Sequence, residues 1–177
     1  STDFDEILPD RFNITWRNAF DMPLTMVVGR QDIILGRGWL VLDGTPLDGS
    51  RTIFFDAVRA TYDWSEADTM VDLIYINNRS AADDRIKPWN NRQVGVTEQN
   101  EEGVILELRN KSLENTQVDG YFIYKRDTRL DTGPQSGSFP MAWSKNAEIY
   151  TLGGRVSGKC GENWDYYLEG AMQKGKK

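Results

Sequence analysis

The sequence predicts an all-β protein: an antiparallel up-and-down transmembrane β-barrel, of which about eight strands are present. Three observations carry that expectation. Apolar residues recur at every second position in short runs. The links between those runs alternate between short and long. No stretch approaches the roughly 20 consecutive apolar residues of a membrane-spanning helix, whereas tryptophan and tyrosine gather beside the short links.

The runs can be taken in order. In 12–16, Phe12, Ile14 and Trp16 are apolar, while Arg11, Asn13, Thr15 and Arg17 are polar. A second strand is expected over 24–35 with both faces mixed, a third over 53–62 and a fourth over 69–77. In 103–109, Val104, Leu106 and Leu108 oppose Glu107 and Arg109. In 118–125, Val118, Phe122 and Tyr124 oppose Asp119 and Lys125. In 148–156, Tyr150, Leu152 and Val156 oppose Thr151 and Arg155. In 164–172, Trp164, Tyr166, Leu168 and Met172 oppose Asp165, Glu169 and Gln173. Helical spacing would put Asp119, Phe122 and Ile123 on one face, and β-branched and aromatic residues favour strands.

The links 18–23, 63–68, 110–116 and 158–163 are short, and 36–52, 79–102 and 127–147 are long. Short turns on one side with long loops on the other is the arrangement of a barrel that meets different surroundings at its two ends. Trp16, Tyr62, Trp64, Trp164 and Tyr166 stand beside short links, where amphipathic rings suit a headgroup layer.

Composition narrows the classes. The chain has 177 residues, read as one barrel segment over 1–177 without a second domain, and 39% of them are hydrophobic. Its mean hydropathy of -0.57 does not exclude a barrel, because only alternate residues face lipid. A net charge of -6 argues against a nucleic-acid partner. Histidine is absent, which removes the commonest general base and metal ligand. The single cysteine, Cys160, allows no internal disulfide and reads as a small strand-end residue. No carboxylate pair stands out and no nucleophile–base set is present, so no enzyme, cofactor or metal is expected. The polar, acidic start and the basic end without a closing aromatic read as a chain cut at both ends.

The stretch Val28-Gly29-Arg30-Gln31-Asp32, the run Gly36 to Thr52, and then Phe55-Asp56-Ala57-Val58-Arg59 resemble the alginate-export family of bacterial outer-membrane barrels. The likeness is most specific over 28–62 and continues downstream as the same hairpin rhythm. It implies a Gram-negative outer-membrane location and a larger barrel of about 18 strands, of which this chain is under half. It also implies a lumen that passes an anionic polysaccharide or related solute, with lipid around the wall. The family's exporter has an arginine-rich lumen. Here Arg11, Arg17, Arg109, Lys125 and Arg155 share the inferred inward faces with Asp72, Glu107, Asp119, Asp165 and Glu169. The cargo is therefore left open between alginate and another solute.

Arginine suits a carboxylate-bearing sugar, because its planar fork matches a carboxylate with two parallel hydrogen bonds. Arg30, Arg59, Arg109, Lys125 and Arg155 are the candidates for contact with a passing anion. The competing reading is that they form structural ion pairs across the wall. Arg30 with Asp32, and Glu107 with Arg109, are expected on one wall, and Glu107 with Lys125 is a possible cross-strand pair. Parity in the third strand conflicts, since Arg59 aligns with Phe55 and Asp56 with Val58; a bulge would resolve it. Asp83, Asp84, Asp127 and Asp131 read as solvated loop charge, with a cation as the weaker alternative. Trp39, Trp89, Phe139 and Trp143 could stack on sugar rings or close their own loops. Two rivals remain: a soluble calyx or sandwich that binds carbohydrate, and an enzyme built into a barrel.

Overall fold

In the computed structural model, which describes residues 7, 9–42, 54–79, 89, 100–128 and 146–176, eight strands form one antiparallel sheet in sequence order. They are β1 (Phe12–Trp16), β2 (Leu24–Gln31), β3 (Phe55–Trp64), β4 (Thr69–Asn78), β5 (Asn100–Leu113), β6 (Thr116–Thr128), β7 (Ala147–Cys160) and β8 (Trp164–Lys176). Each strand pairs with its sequence neighbours, so among the described residues β1 and β8 are free edges and the sheet is open. This is the up-and-down barrel segment that alternation predicts.

Several strands run beyond their expected ends. β5 and β6 extend to Asn100–Leu113 and Thr116–Thr128, because the ladder continues where both faces are polar and alternation no longer shows. One strand is shorter than expected: β2 stops at Gln31. Residues 32–35 keep an alternating pattern, but Ile33 and Leu35 use it to bury against the sheet rather than to extend it. The short links are tight. Asn18 adopts φ 51 ahead of a 3-10 turn at Ala19–Asp21, a second 3-10 turn spans Ser65–Ala67, and Asn115 adopts φ 55 between β5 and β6. Asparagine tolerates that left-handed backbone better than most residues. A register shift in β5–β6 falls between Asn110 and Leu113; the β2–β3 and β3–β4 ladders step uniformly. The parity conflict in the third strand thus needs no bulge. Arg59 and Asp56 lie on opposite faces.

Register sorts the side chains into two faces. One is apolar from edge to edge. Trp16, Met26, Ala60, Leu73, Leu106, Phe122, Leu152 and Met172 form a single cross-strand row through all eight strands. The next row toward the long links reads Ile14, Val28, Val58, Tyr75, Val104, Tyr124, Tyr150 and Lys174. Beyond it come Asn77, Glu102, Arg126, Glu148 and Lys176, which end the apolar rows with an amide and four charged side chains. Toward the short links, Tyr62 stands one row below the first, Trp64 two, Tyr166 three and Trp164 four. The apolar side chains on this face are uncovered: Leu152 is 60% exposed, Leu168 73% and Met172 71%. A water-soluble sheet would bury such a face.

The other face is polar and partly covered. At its β3–β5 end, Ala57, Ile74, Ile76 and Ile105 form a small core with Ile33 and Leu35, flanked by Val41, Phe55 and Ile123. Residues 32–42 supply the cover. They leave β2, cross this face and are held in a turn by Leu35 N–H donating to the Val41 carbonyl at 3.1 Å and Gly38 N–H to the Leu35 carbonyl at 2.9 Å.

Candidate functional site

The polar face of β3 to β8 carries one connected charge network. Arg59 on β3 donates to both oxygens of Asp72 on β4, at 3.0 and 2.8 Å. Asp72 is fully buried and also accepts from Thr61 and from Arg109 on β5. Arg109 lies 3.6 Å from Glu107, two residues away on the same wall. Glu107 accepts from Arg155, which reaches two strands across from β7 and also donates to Asp119 at 2.9 Å. Arg155 lies 3.8 Å from Glu169 on β8. Tyr121 closes the network: its hydroxyl donates to Glu169 at 3.0 Å, and its ring lies against Gly153, where any Cβ would intrude into the ring.

Burial makes this network stiff. Arg155 and Glu107 side chains are 2% and 3% exposed. In such surroundings a lone charge costs several kcal/mol, so each partner holds the other in place. The strand period supplies the placement, since Glu107 and Arg109, Asp119 and Tyr121, and Thr151 and Arg155 project to the same side at intervals of two or four.

The five candidate cations differ in placement. Arg59 and Arg109 are on the polar face, with side chains 26% and 27% exposed. Lys125 is there too, 42% exposed, but farther toward the long links. It bonds Glu101 at 2.8 Å and Asp127 at 3.3 Å. The anticipated Glu107–Lys125 pair does not form, because register sets Glu107 opposite Tyr121 and Lys125 opposite Gly103. Arg155 is on the polar face but shielded. Arg30 is elsewhere. It lies opposite Phe12 and Asp56, on the side of Val28 and Val58 and at the long-link end of that face. There its guanidinium pairs with Asp56 at 3.0 and 3.2 Å, donates to the Pro9 carbonyl at 2.9 Å and stacks 3.6 Å from the Phe54 ring. Asp32 pairs instead with Arg11. Arg30 and Asp32 therefore do not share a wall: Arg30 is two residues from outward-facing Val28, and the chain turns inward after Gln31.

Among the loop aromatics, Trp39 is 58% exposed and Trp89 is 72% exposed, bridged to Ile7; Phe139 and Trp143 lie outside the described residues. Asp127 pairs with Lys125, and Asp83, Asp84 and Asp131 also lie outside them. Cys160 is exposed at the end of β7, opposite Trp164.

One residue escaped the sequence reading. Arg37, between Gly36 and Gly38, reads as loop, yet its guanidinium lies 4.2 Å over the Tyr167 ring on the polar face of β8. The flanking glycines, with φ 58 and 78, were the available signal of a tight inward turn.

The described residues offer a wall of paired charges on one side and an uncovered apolar surface on the other. No curated relative and no solved structure matches the chain. The family model described as "Alginate export" matches residues 1–177, the whole chain, in agreement with the all-β antiparallel sheet. The chain belongs to the alginate-export family, a transport family of the outer membrane.

Proposed function

We propose that this chain forms part of an outer-membrane channel, with lipid against the apolar face and a water-filled path along the polar face. An anionic saccharide or other small solute passes down its gradient, without a cofactor and without chemistry on the solute. The observation that carries this reading is the unbroken row from Trp16 to Met172, apolar on every strand and backed by the ion-paired face. Exposed hydrocarbon on that scale fits a membrane surface, and charge turned away from it fits an aqueous interior.

Arg59, Arg109 and Lys125 are the wall cations proposed to meet solute, supported by their partial exposure. Arg155 and Arg30 hold the wall together. Planar-bilayer recordings of the full-length protein, with reversal potentials in a potassium chloride gradient, test the proposal. Defined unitary conductance is expected. A protein that purifies without detergent, stays out of the outer membrane and gives no conductance would return the carbohydrate-binding β-domain to first place.

A further inference from the structure

The apolar face is hollowed at the long-link end of β1 to β4, where a cavity of about 370 Å³ opens on it. Small-molecule sites run from roughly 300 to 1,000 Å³. The cavity spans two adjoining cross-strand rows. Val28, Val58 and Tyr75 line it from the last apolar row. Phe12, Arg30, Asp56 and Asn77 line it from the row beyond. Gly29 and Ala57, a cross-strand pair, lie between the two. The rows are about 7 Å apart, two residues along a strand. Within that distance the lining passes from hydrocarbon to polar groups.

The polar end is held by its own contacts. Arg30 and Asp56 are 2% and 7% exposed and paired with each other, so neither charge is left to attract a counter-ion. A guanidinium has five N–H groups. Two of those on Arg30 donate to Asp56 and one to the Pro9 carbonyl, which leaves two for a neutral acceptor. The Phe54 ring, stacked at 3.6 Å, fixes the plane of the group. On the opposite wall the Tyr75 hydroxyl donates to Glu102 at 2.7 Å and accepts from Asn77 at 3.0 Å, which tethers the ring. Both walls are therefore in place before anything enters.

We infer that this cavity binds the acyl linkage of a membrane lipid, with the ester or amide carbonyl accepting from Arg30 and the start of the chain lying along Val28, Val58 and Tyr75. The inference rests on the membrane reading proposed above. A carbonyl joined to a hydrocarbon chain changes polarity over the same few ångströms as the cavity does. A free sugar would set its hydroxyls against Val28 and Val58, where they find no partner, and an acidic headgroup would meet the Asp56 carboxylate beside the guanidinium. Phospholipids and lipid A share the acyl linkage.

The test reconstitutes the full-length protein in phosphatidylethanolamine vesicles, with and without lipid A, and counts the lipids retained after transfer to detergent by native mass spectrometry. Val58→Trp and Val28→Trp fill the cavity, and Leu152→Trp lies on the same face outside it. Wild type and Leu152→Trp are expected to retain one more lipid than either filled variant. A diether analogue, which has the chains without the carbonyl, should be retained about tenfold less by wild type, the scale of one hydrogen bond to a charged group. That arm uses wild type alone, so it holds even where a filled variant fails to fold. Retention of either acyl lipid over the diether supports the site, and the retained mass tells phospholipid from lipid A. Equal retention in wild type and both filled variants, or of acyl lipid and diether, overturns the proposal and leaves the membrane reading standing. A wild type that never enters the vesicles overturns the membrane reading itself.

Discussion

Replacing Leu152 with arginine separates a membrane wall from a water-soluble sheet. Leu152 is on the apolar face near the middle of β7, opposite Phe122 on one side and Met172 on the other. It is 60% exposed, so no packed neighbour is displaced and no cavity is left. If the face meets water, the exchange falls within about 0.5 kcal/mol of neutral, as exposed substitutions usually do. If it meets hydrocarbon, an arginine near the bilayer midplane costs about 2–4 kcal/mol, which lowers the folding equilibrium by roughly 30-fold to 1,000-fold. The difference between the two outcomes is larger than the error of a denaturant titration. The assay is reversible unfolding of the full-length protein in lipid vesicles. Two controls bracket it. Gln173→Arg lies on the polar face one residue from Met172 and should cost little. Glu148→Arg, two rows nearer the long links, should cost no more than about 1 kcal/mol, because the penalty fades toward the interface. Equal stability of Leu152→Arg and Gln173→Arg would refute the assignment of that face to lipid.

Asp72→Ala leaves Arg59 and Arg109 facing an empty site in a buried network. A loss of about 3–5 kcal/mol is expected in the same unfolding assay. Glu107→Gln removes the acid that Arg109 and Arg155 share, so the chloride-to-potassium permeability ratio should rise while unitary conductance persists. Gly153→Ala drives a methyl group into the Tyr121 ring and parts that hydroxyl from Glu169, with an expected loss of about 1–3 kcal/mol and a downward shift of the unfolding midpoint.

The faces of the sheet were legible because period-two alternation is a direct imprint of the pleat: Val104, Leu106 and Leu108 against Glu107 and Arg109 admit one reading. The wall charges Asp72, Glu107, Asp119 and Glu169 were placed with their cations by parity alone. Partner choice was not legible. Which acid an arginine reaches depends on register between strands, and register is set by turns whose geometry hangs on single residues such as Asn115. Arg30 shows a second limit. Parity put it on a strand face, but at the end of β2 the apolar face gives way to polar contacts with Asp56 and Pro9, and only the register reveals that change. The inward turn after Gln31 was hidden for the opposite reason: Ile33 and Leu35 continue the alternation of β2 after the hydrogen-bonded ladder has ended.

The ringed residues beside the short links descend like stairs. At β1 the step is Trp16, in the row that reaches β8 at Met172; at β8 it is Trp164, about eight residues lower along the strand. In the membrane setting proposed above, with these rings at one headgroup level, a drop of about 27 Å over a width of about 34 Å makes the strands lean by about 40° from the bilayer normal. A leaning palisade cannot join its ends level. Whatever strands complete the ring must carry the same offset onward, so that the last meets β1 displaced along its length, and the slope drawn by these few rings already sets the pitch of that seam.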